Sequence, residues 1–391
     1  MKKIALAIEN FSRFAGGAET YAVSLSKALV TDGWEVHLFG QNWDGEPETA
    51  IFHKITIPRF LPAWAKMLLF ALRHRKMVRE QNIDVIVGFG NTVYMNVYQS
   101  HGGVHRYSTA RKVYAENNKI RRAIKRVIIA ISLKQWMRNW IESTAFKQKK
   151  RPKIVAISQM IKEDMELFFN VNPEEIEIVY NGVDTTKYNV GLREHLRGPL
   201  RQQLGINKDE VIFLFVSYDL KKKGIVPLVD AVELLNHLHE GQFRIVVLGG
   251  SPYPSLSKRI SSLGLNDKII FTGKSRSTEE YYANSDVLVL PTYYDACSLV
   301  VIEAMACGLP PITTIYNGAA GIITNNRDGY VISHPPDPTE LAAKMKSLMD
   351  RNKRRKMSQL AAEVGKRYST EKNHEVMLQI FHDISEKQDN Y

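Results

Sequence analysis

Two acidic residues, Asp295 and Glu303, are separated by seven residues in the stretch PTYYDACSLVVIEAMACGLP, which covers residues 291–310. Ionised carboxylates only accept hydrogen bonds, so a pair of them suits the hydroxyl groups of a sugar or a ribose. Backbone amides at the start of a helix suit a phosphate group. The stretch therefore predicts a site for a ligand that is part phosphate and part polyol.

The pattern around this acid pair predicts a strand-to-helix junction. The apolar run Val287–Leu290 indicates a buried strand, and the apolar run from Leu299 indicates a helix that ends at Gly308. Glycine suits a helix end because it readily adopts a positive φ. The loop 293–298 should therefore follow the carboxyl end of a strand, where open α/β sheets bind their ligands.

A second junction of this kind lies earlier in the chain. The strand pattern of Val211–Ser217 leads into the basic run 221–223, which is followed by Gly224 and a helix pattern. Cations beside backbone donors suit a diphosphate leaving group, because its negative charge grows in the transition state. A solvated lysine cluster is the alternative interpretation.

The first β-α-β pattern of the chain carries the glycines Gly16 and Gly17 between a strand over 3–8 and a helix over 18–30. Glycines here permit a ligand to approach the backbone closely, although a tight turn explains them equally well. They do not form the GxGxxG fingerprint, so the pattern disfavours a dinucleotide cofactor.

Two histidines, His101 and His105, flank Gly102 and Gly103 just after another strand-like run. The unperturbed imidazole pKa of about 6.5 suits proton transfer near neutral pH. For each histidine, the alternative is a loop side chain that caps a turn.

The spacing of Asp295 and Glu303, with the run Glu-Ala-Met-Ala-Cys-Gly-Leu-Pro, resembles the signature of the retaining, nucleotide-sugar glycosyltransferases of family four. That family usually has Glu where this chain has Asp295, and Phe-Gly or Ala-Gly where it has Cys297 and Ser298. The shorter aspartate leaves the donor sugar less well defined than the class of donor.

Other parts of the chain share this resemblance, which covers nearly its whole length. Gly-Gly-Ala-Glu at residues 16–19 matches the first loop of the family, and Lys223 with Gly224 matches its Lys-Gly pair. The family's upstream arginine is replaced by Ser217-Tyr218, so Lys222 or Lys221 would supply the second cation. Within the family, the chain is most similar in character to the lipopolysaccharide inner-core glucosyltransferase branch.

The resemblance also implies roles for individual residues. Asp295, His101 and Lys223 form the implied catalytic set, with Asp295 on the donor sugar and Lys223 on the diphosphate. Glu303 holds the ribose of the donor. The implied donor-binding residues are Gly16, Gly17, Lys222, Lys223, Gly273, Lys274, Ala296, Cys297, Ser298, Leu299 and Glu303, and those of the acceptor side are Glu19, His101, Gly102 and His105.

Composition narrows the class of protein. A chain of 391 residues has room for two domains with their own cores. Its two cysteines, Cys297 and Cys307, offer no disulfide framework, which favours a reducing, cytoplasmic setting. The apolar run after Lys3 ends at Glu9, so it predicts a first strand and not a secretion signal. No segment reaches the ~18 apolar residues of a membrane span.

Positive charge is concentrated in residues 106–153, which contain fifteen Lys and Arg residues and only two acids, Glu116 and Glu142. The segment carries a net +13, so the rest of a chain with a total charge of +12 sums to −1. Apolar residues recur at helical spacing over 120–131, with Trp136 and Trp140 beyond them, and residues 60–79 have a similar mixture. A basic amphipathic helix with tryptophans is typical of a membrane-surface element.

Three interpretations of this basic segment stay open. An anionic membrane surface or a phosphorylated glycolipid acceptor is favoured. Alternatively, the apolar stripe packs on the sheet and leaves a solvated basic face. Nucleic acid is the least favoured partner, because no recognised binding motif accompanies the charge. The favoured interpretation predicts a cytoplasmic protein that lies peripherally on the cytoplasmic face of the inner membrane.

Strand-helix alternation in both halves predicts an α/β protein. The expected architecture is two Rossmann-like, doubly wound domains facing a cleft (GT-B), with a C-terminal helix that crosses back to the first domain. The predicted domains are an acceptor domain over 1–190, a nucleotide-sugar donor domain over 205–370 and the C-terminal helix over 371–391.

The resemblance implies a retaining hexosyltransferase that moves glucose from UDP-glucose to a cell-envelope glycolipid or lipopolysaccharide core. No Asp-x-Asp motif or paired Cys/His spacing occurs, which predicts catalysis without a metal or other cofactor. A sugar-nucleotide epimerase on the same fold and a non-catalytic polyanion- or lipid-binding protein are the alternatives. The sequence leaves the oligomeric state open.

Overall fold

The computed structural model describes residues 2–12, 16–116, 118–148, 150–238 and 242–389. Lys149 of the basic segment and the last two residues of the predicted C-terminal helix lie outside these ranges. Contacts divide the chain into a first unit, Met1–Tyr180 with Asn373–Tyr391, and a second unit, Asn181–Lys372.

The strands of the described residues, in chain order, are β1 Lys3–Ala7, β2 Asn10–Phe11, β3 Glu35–Gly40, β4 Asn42–Trp43, β5 Ile51–Lys54, β6 Val85–Gly88, β7 Val97–Ser100, β8 Lys153–Ala156, β9 Ile176–Ile178, β10 Val211–Ser217, β11 Phe243–Gly249, β12 Ile269–Gly273, β13 Val287–Leu290, β14 Pro311–Thr314 and β15 Tyr330–Ile332.

The α-helices of the described residues, in chain order, are α1 Gly17–Thr31, α2 Ala63–Arg79, α3 His105–Lys112, α4 Lys119–Ile131, α5 Leu133–Lys147, α6 Gln159–Phe169, α7 Leu192–Leu196, α8 Pro199–Gln203, α9 Ile225–Leu238, α10 Pro254–Ser262, α11 Thr278–Asn284, α12 Leu299–Ala306, α13 Pro338–Ser347, α14 Arg351–Gly365 and α15 Thr370–Asp389.

The first unit is built on a seven-stranded parallel sheet in the order β5-β3-β1-β6-β7-β8-β9. Its central strands β1, β6 and β7 are almost entirely buried, as expected of strands that are covered on both faces. The chain winds outward from β1 in one direction and then continues from β6 in the other. This order is that of a doubly wound sheet, and its switch point lies between β1 and β6.

The second unit repeats this plan with a six-stranded parallel sheet in the order β12-β11-β10-β13-β14-β15. Its switch point lies between β10 and β13, which are adjacent in the sheet although α9, β11, α10, β12 and α11 separate them in sequence. The two Rossmann-like sheets confirm the predicted fold class.

The C-terminal helix α15 belongs to the first unit from Asn373 onward. Its side chains Met377, Ile380 and Phe381 are buried in the core cluster that also contains Ile4, Leu6 and other residues of β1 and α1. The predicted return of the last helix to the first domain is confirmed.

The contacts divide the units earlier than the predicted boundary between residues 190 and 205. Residues 181–204 belong to the second unit, because the short helices α7 and α8 are tied to its core by ion pairs. Asp286, which is buried, accepts hydrogen bonds from Arg197 and Arg201 at 2.7 Å each. These ion pairs join residues that are far apart in sequence, so the sequence pattern does not reveal them. The polar composition of residues 190–205 alone therefore favoured a linker.

The two amphipathic segments of the first unit differ in how they pack. In α2, Trp64 and Leu68 contact Met137 and Ile141 of α5, so packing within the unit explains most of the apolar stripe in residues 60–79. In α4 no residue is buried, and Ile120, Ile124, Val127, Ile128 and Ile131 are 54–75% exposed. No helix in the described part of the chain is both long and apolar enough to cross a bilayer.

Candidate functional site

Two loops meet at the switch point of the second unit, one after β10 and the other after β13. The Lys223 ammonium contacts the Asp295 carboxylate (Nζ to Oδ2). Both side chains remain 20–24% exposed. The ion pair therefore stands at the carboxyl edge of the sheet, where parallel α/β sheets bind ligands, and is accessible to a solute.

Backbone contacts hold these loops together and explain the glycine beside the lysine. Gly224 has a φ of +83°, and a Cβ at this position would overlap the carbonyl oxygen of Pro291. The amide of Tyr293 donates to the carbonyl oxygen of Lys222 at 3.0 Å. A glycine is thus required where the β10 loop crosses the β13 loop, and this close approach brings Lys223 to Asp295.

The two preceding lysines have other partners. Lys222 Nζ lies 2.5 Å from Asp219 Oδ2, and 54% of its side chain is exposed. Lys221 Nζ lies 4.8 Å from the ring centroid of Tyr253. Of the three, Lys223 is the lysine that the fold directs at Asp295, and Asp219 already balances the charge of Lys222.

The start of α12 supplies fewer amides than the sequence suggested. The Asp295 amide donates to the carbonyl oxygen of Tyr316 at 2.9 Å, and the Ser298 amide donates to Asn317 Oδ1 at 3.2 Å. A helix leaves its first amides without intrahelical acceptors, and α12 begins at Leu299. The amides from Leu299 onward are therefore the better candidates for a phosphate. No pattern in the sequence indicated that Asn317 would accept the hydrogen bond from the Ser298 amide.

Glu303 lies one turn into α12, as predicted, and is held by Tyr282 of α11. The Tyr282 hydroxyl donates to Glu303 Oε2 at 2.6 Å. Burial raises the pKa of Glu303, and the hydrogen bond from Tyr282 opposes that rise. The bond fixes one carboxylate oxygen and leaves Oε1 for another donor. Nothing in the sequence linked Tyr282 to Glu303, because the contact depends on packing between the two helices.

The cysteines of this region are not reactive thiols. Cys297 and Cys307 are both buried, and burial raises the pKa of each thiol to about 12. Both therefore remain protonated and serve as small apolar groups. Ala296 and Cys297 are predicted donor-site residues whose side chains are buried in the same loop.

The predicted base-binding loop follows β12. Gly273 ends that strand with a φ of +72°, and Lys274 Nζ lies 5.4 Å from the ring centroid of Tyr218. Tyr218 follows β10 directly and is 67% exposed. Lys274 is thus brought to the edge of the β10 loop, next to the residue that replaces the family's arginine.

In the first unit, Gly16 is the N-cap of α1 and Gly17 is its first residue. The φ of Gly16 is −84°, which any residue can adopt, so its backbone angles do not require glycine. A Cβ at this position would lie 2.6 Å from Glu19 Oε2, which is the flexible end of a side chain that can move aside, so space does not require glycine either. Glu19 therefore folds back over the predicted glycine loop.

His101 follows β7 and packs between two aromatic rings. Its ring centroid lies 4.5 Å from that of Tyr21 and 5.3 Å from that of Phe89. Within the described residues, its buried Nε2 has no hydrogen-bond partner. Burial lowers the pKa of His101 to about 3, so the ring is neutral at physiological pH. A neutral imidazole with an unused nitrogen is suited to a hydroxyl group of a ligand.

His105 is the first residue of α3 and has partners within the protein. Its Nε2 contacts Gln135 Oε1, and its amide donates to Glu142 Oε2 at 3.0 Å. Burial lowers its pKa to about 4, and the contact with Gln135 opposes that shift. Of the two predicted histidines, His101 has the free nitrogen and His105 has a structural role. Gly102 between them is exposed.

The predicted residues fall into one set in each unit. The second-unit set is Lys222, Lys223, Gly273, Lys274, Asp295, Ala296, Cys297, Ser298, Leu299 and Glu303, and the first-unit set is Gly16, Gly17, Glu19, His101, Gly102 and His105. Among the residues that the structure describes, no group of three or more His, Cys, Asp or Glu side chains could hold a metal ion.

Comparison with known protein families gives a match for each half of the chain. Residues 15–187 match the model described as Glycosyltransferase Family 4, and residues 197–365 match the model described as Glycosyl transferases group 1. The two models together span most of the chain.

Curated relatives have the same general activity in their names. The lipopolysaccharide glucosyltransferase WaaG of Escherichia coli is 23% identical over 82% of each chain, and an N-acetyl-alpha-D-glucosaminyl L-malate synthase of Bacillus anthracis is 24% identical over 94% of each. An uncharacterized glycosyltransferase of Methanocaldococcus jannaschii is 27% identical over 48% of each chain. The chain thus spans about half the length of this last relative.

Solved structures agree on the fold. The crystal structure of WaaG superposes with a TM-score of 0.78 at 20% identity, covering 97% of this chain and 99% of WaaG. Anabaena HepE in complex with UDP-glucose superposes with a TM-score of 0.67 at 18% identity, covering 100% of each chain. Because the two family models match residues 15–187 and 197–365, the chain belongs to the glycosyltransferases of family 4.

Proposed function

We propose that the protein is a retaining, metal-independent hexosyltransferase that moves glucose from UDP-glucose to a cell-envelope glycolipid, such as a lipopolysaccharide core. The ion pair of Lys223 and Asp295 at the switch point between β10 and β13 carries this proposal. The names of WaaG and the complexes of HepE with UDP and UDP-glucose support the donor and acceptor classes.

The donor lies across the carboxyl edge of the second sheet. Lys223 neutralises the diphosphate, assisted by the first amides of α12 from Leu299 onward. Asp295 accepts hydrogen bonds from the sugar hydroxyls, and the free Oε1 of Glu303 accepts one from the ribose. Gly273 and Lys274 border the base. Lys274, which lies beside Tyr218, takes the place of the missing arginine, because Asp219 already balances Lys222.

The ion pair between Lys223 and Asp295 balances the lysine charge before the donor binds and leaves the lysine able to bind the diphosphate. Before the donor binds, Lys223 is balanced by Asp295, so the unit avoids an unpaired, partly buried cation. When the diphosphate binds, Lys223 gains a second anionic partner. As the bond from the anomeric carbon to the phosphate oxygen breaks, negative charge grows on the diphosphate and its attraction to Lys223 strengthens.

Retention follows if the acceptor attacks from the face that the diphosphate leaves. The new bond forms between the anomeric carbon and the acceptor oxygen. The acceptor proton passes to the departing phosphate oxygen, so charge and atoms balance without a protein base. Asp295 positions the sugar and does not attack it. His101, with its unused Nε2, accepts a hydrogen bond from a sugar hydroxyl.

Divalent metal is unnecessary in this scheme because Lys223 and the helix amides supply the positive charge. The first unit contributes the acceptor side through Glu19, His101, Gly102 and His105. We assign Gly16 and Gly17 to donor binding on the family resemblance alone.

The exposed face of α4 suits the surface of an anionic membrane. Its isoleucines and valine are largely solvent-exposed, and Lys119, Arg121, Arg122, Lys125 and Arg126 lie on the same helix without an acid. Trp136 and Trp140 of α5 are 63% and 41% exposed. Apolar insertion combined with attraction to anionic headgroups is the usual basis of interfacial binding. In this proposal the enzyme acts at the cytoplasmic side of the membrane that carries its acceptor.

Product analysis tests the proposal. The purified protein is incubated with UDP-glucose, EDTA and a lipid extract of the cell envelope, and the anomeric configuration of the new linkage is read by NMR. An α-linked product formed in EDTA supports retention without metal. An inverted product, or transfer that requires a divalent ion, would contradict it. Conversion of the UDP-sugar without any acceptor would instead indicate an epimerase.

A further inference from the structure

A small polar cavity lies in the first unit, apart from the residues assigned to the donor. Its volume is about 140 Å³, and the side chains of Ser100, Ser108, Lys112, Arg138 and Glu142 line it. One water molecule occupies about 30 Å³ in the liquid. The cavity therefore has room for one tetrahedral oxyanion.

Arg138 of α5 supplies a cation that acts on Glu142 across the cavity and opposes the rise of the Glu142 pKa. Its Nη2 lies 3.6 Å from the position that a Cβ on Gly102 would occupy, so the guanidinium sits against the Gly102 backbone. Within the described ranges, Arg138 makes no hydrogen bond and no ion pair at salt-bridge distance. An arginine in a cavity normally has an anionic partner, because its fork of donors suits an oxyanion.

Glu142 is the acid in the lining, and its surroundings weaken its negative charge. It is 4% exposed and accepts hydrogen bonds from the His105 amide at 3.0 Å and from the Tyr98 hydroxyl at 3.3 Å. Burial raises its pKa to about 7. The groups that face it are Tyr98 from β7, His105 and Lys112 from α3, and Arg138 from α5.

The net charge of the cavity is therefore positive near neutral pH. His105 is neutral there, since burial lowers its pKa to about 4. Lys112 and Arg138 are cationic, and Glu142 is only partly ionised. The hydroxyl groups of Ser100 and Ser108 add donors, and a protonated Glu142 adds another.

We propose that this cavity binds a phosphate monoester carried by the acceptor sugar. The assignment of the phosphate to an acceptor sugar rests on the proposed transferase function. The anion site itself does not depend on that function. Arg138 and Lys112 bind the phosphate oxygens, and Glu142 takes up a proton when the phosphate enters. The loop 102–104 then positions the acceptor beside His101.

Binding of inorganic sulfate tests the site directly. Sulfate does not titrate between pH 6 and 8, so any pH dependence belongs to the protein. In calorimetric titrations, we expect wild-type affinity to weaken about tenfold as the pH rises from 6 to 8, since one proton is taken up per anion. Glu142→Gln should bind sulfate with little pH dependence, because the amide donates at every pH.

Charge-matched variants separate the cavity from the general basic surface. Arg138→Gln should weaken sulfate binding at least tenfold, which is the usual effect of losing a charge-assisted hydrogen bond. Arg75→Gln removes the same charge from the exposed surface of α2 and should leave binding nearly unchanged. Equal losses in both variants would overturn the cavity as the site. Thermal unfolding of each variant checks that the fold is kept.

A hexose 6-phosphate distinguishes an acceptor phosphate from a free anion. Tighter binding of the sugar phosphate than of sulfate, lost in Arg138→Gln, supports the acceptor subsite. Equal binding overturns that part and leaves a simple anion site. UDP binding is measured in the same variants, because the residues proposed for it lie in the second unit. If UDP binds but neither anion does, this inference fails and the proposed donor function stands. If the anions bind but UDP does not, the donor function fails.

Discussion

At the switch point of the second unit, the charged side chains already have partners within the protein. Lys223 pairs with Asp295, Lys222 with Asp219, and Glu303 accepts from Tyr282. In the described part of the first unit, at the same edge of an equivalent sheet, His101 Nε2 has no hydrogen-bond partner and Arg138 no ion pair. The apolar face of α4 is also uncovered.

This difference distinguishes two ways of building a binding site on one topology. A preformed set of ion pairs holds its geometry before the ligand arrives, which suits a donor that must be oriented for chemistry. Unpartnered groups are costly unless a ligand or solvent satisfies them. The first unit therefore retains the unpartnered groups that we propose for the acceptor and for a membrane surface.

We expect the largest effect from substitution of Lys223, which is paired with Asp295. Lys223→Met should reduce the release of UDP from UDP-glucose by about 10²–10³-fold, because a charge that stabilises the transition state is lost. Lys222→Met removes the same charge one residue away, where Asp219 already balances it. It should cost less than tenfold. Equal losses would show that the general charge of the loop matters and not the pairing with Asp295.

In the first unit, the pH dependence of stability tests the buried Glu142. Its pKa is about 7 in the folded protein, above the ordinary glutamate pKa of 4.5, because the side chain is buried. Because the folded state holds the proton more tightly, the associated stability is present below pH 4.5 and is lost as the pH rises through about 7. Relative to Glu142→Gln, wild type should lose up to about 3 kcal/mol of unfolding free energy across that range.

Urea denaturation at pH 4.5, 6 and 7.5 measures the difference in unfolding free energy between wild type and Glu142→Gln. Because both proteins contain His101 and His105, the opposite contributions of these histidines cancel in that difference. Glu371→Gln, at an exposed position on α15, serves as the control and should show little change. A wild-type curve parallel to that of Glu142→Gln would contradict the raised pKa.

Vesicle binding by variants of α4 tests the membrane surface proposed for the first unit. Neutralising Arg121 and Arg126 together, both exposed, should weaken binding to anionic vesicles by about 2 kcal/mol, or roughly 30-fold. Stability should hardly change because neither side chain is buried. Arg355→Gln with Lys356→Gln removes two exposed charges from α14 as the matched control. Vesicle sedimentation at low and high salt gives the readout, and binding that is insensitive to salt would argue against the surface.

The smallest expected effect concerns the crossing of the two donor loops. Gly224→Ala should destabilise the second unit by at least about 1 kcal/mol more than Gly264→Ala. Both glycines have a positive φ, but only the first would place a Cβ against Pro291. The comparison by chemical denaturation therefore isolates the close approach. Equal destabilisation would mean that the loops can separate freely.

Much of the local structure around the candidate donor site could be predicted from the sequence because its signals are local. The spacing of Asp295 and Glu303, the strand before them and Gly308 after them define one strand-helix unit. The contact between Lys223 and Asp295 could not be predicted from that unit, since the order of strands in the sheet brings these residues together. The partners Tyr282 and Asn317 depend on tertiary packing in the same way.

The amphipathic segments show the limit of composition as a guide. Residues 60–79 and 120–131 have similar mixtures of basic and apolar residues, yet α2 is covered by α5 and α4 is exposed. Helical spacing reveals an apolar face but not what covers it. The boundary near residue 181 was missed for a related reason, because Arg197 and Arg201 join a buried partner, Asp286, far along the chain.

Thermal unfolding with UDP, GDP or ADP in the presence of EDTA tests the central claim most directly, namely that Lys223 and Asp295 mark a metal-independent donor site for a UDP-sugar. We expect UDP to stabilise the wild type in EDTA by about 2.7 kcal/mol at a hundredfold excess over its Kd. The shift should nearly vanish in Lys223→Met and persist in Lys222→Met. Stabilisation only when a divalent metal is added, or by none of the three nucleotides, would contradict it.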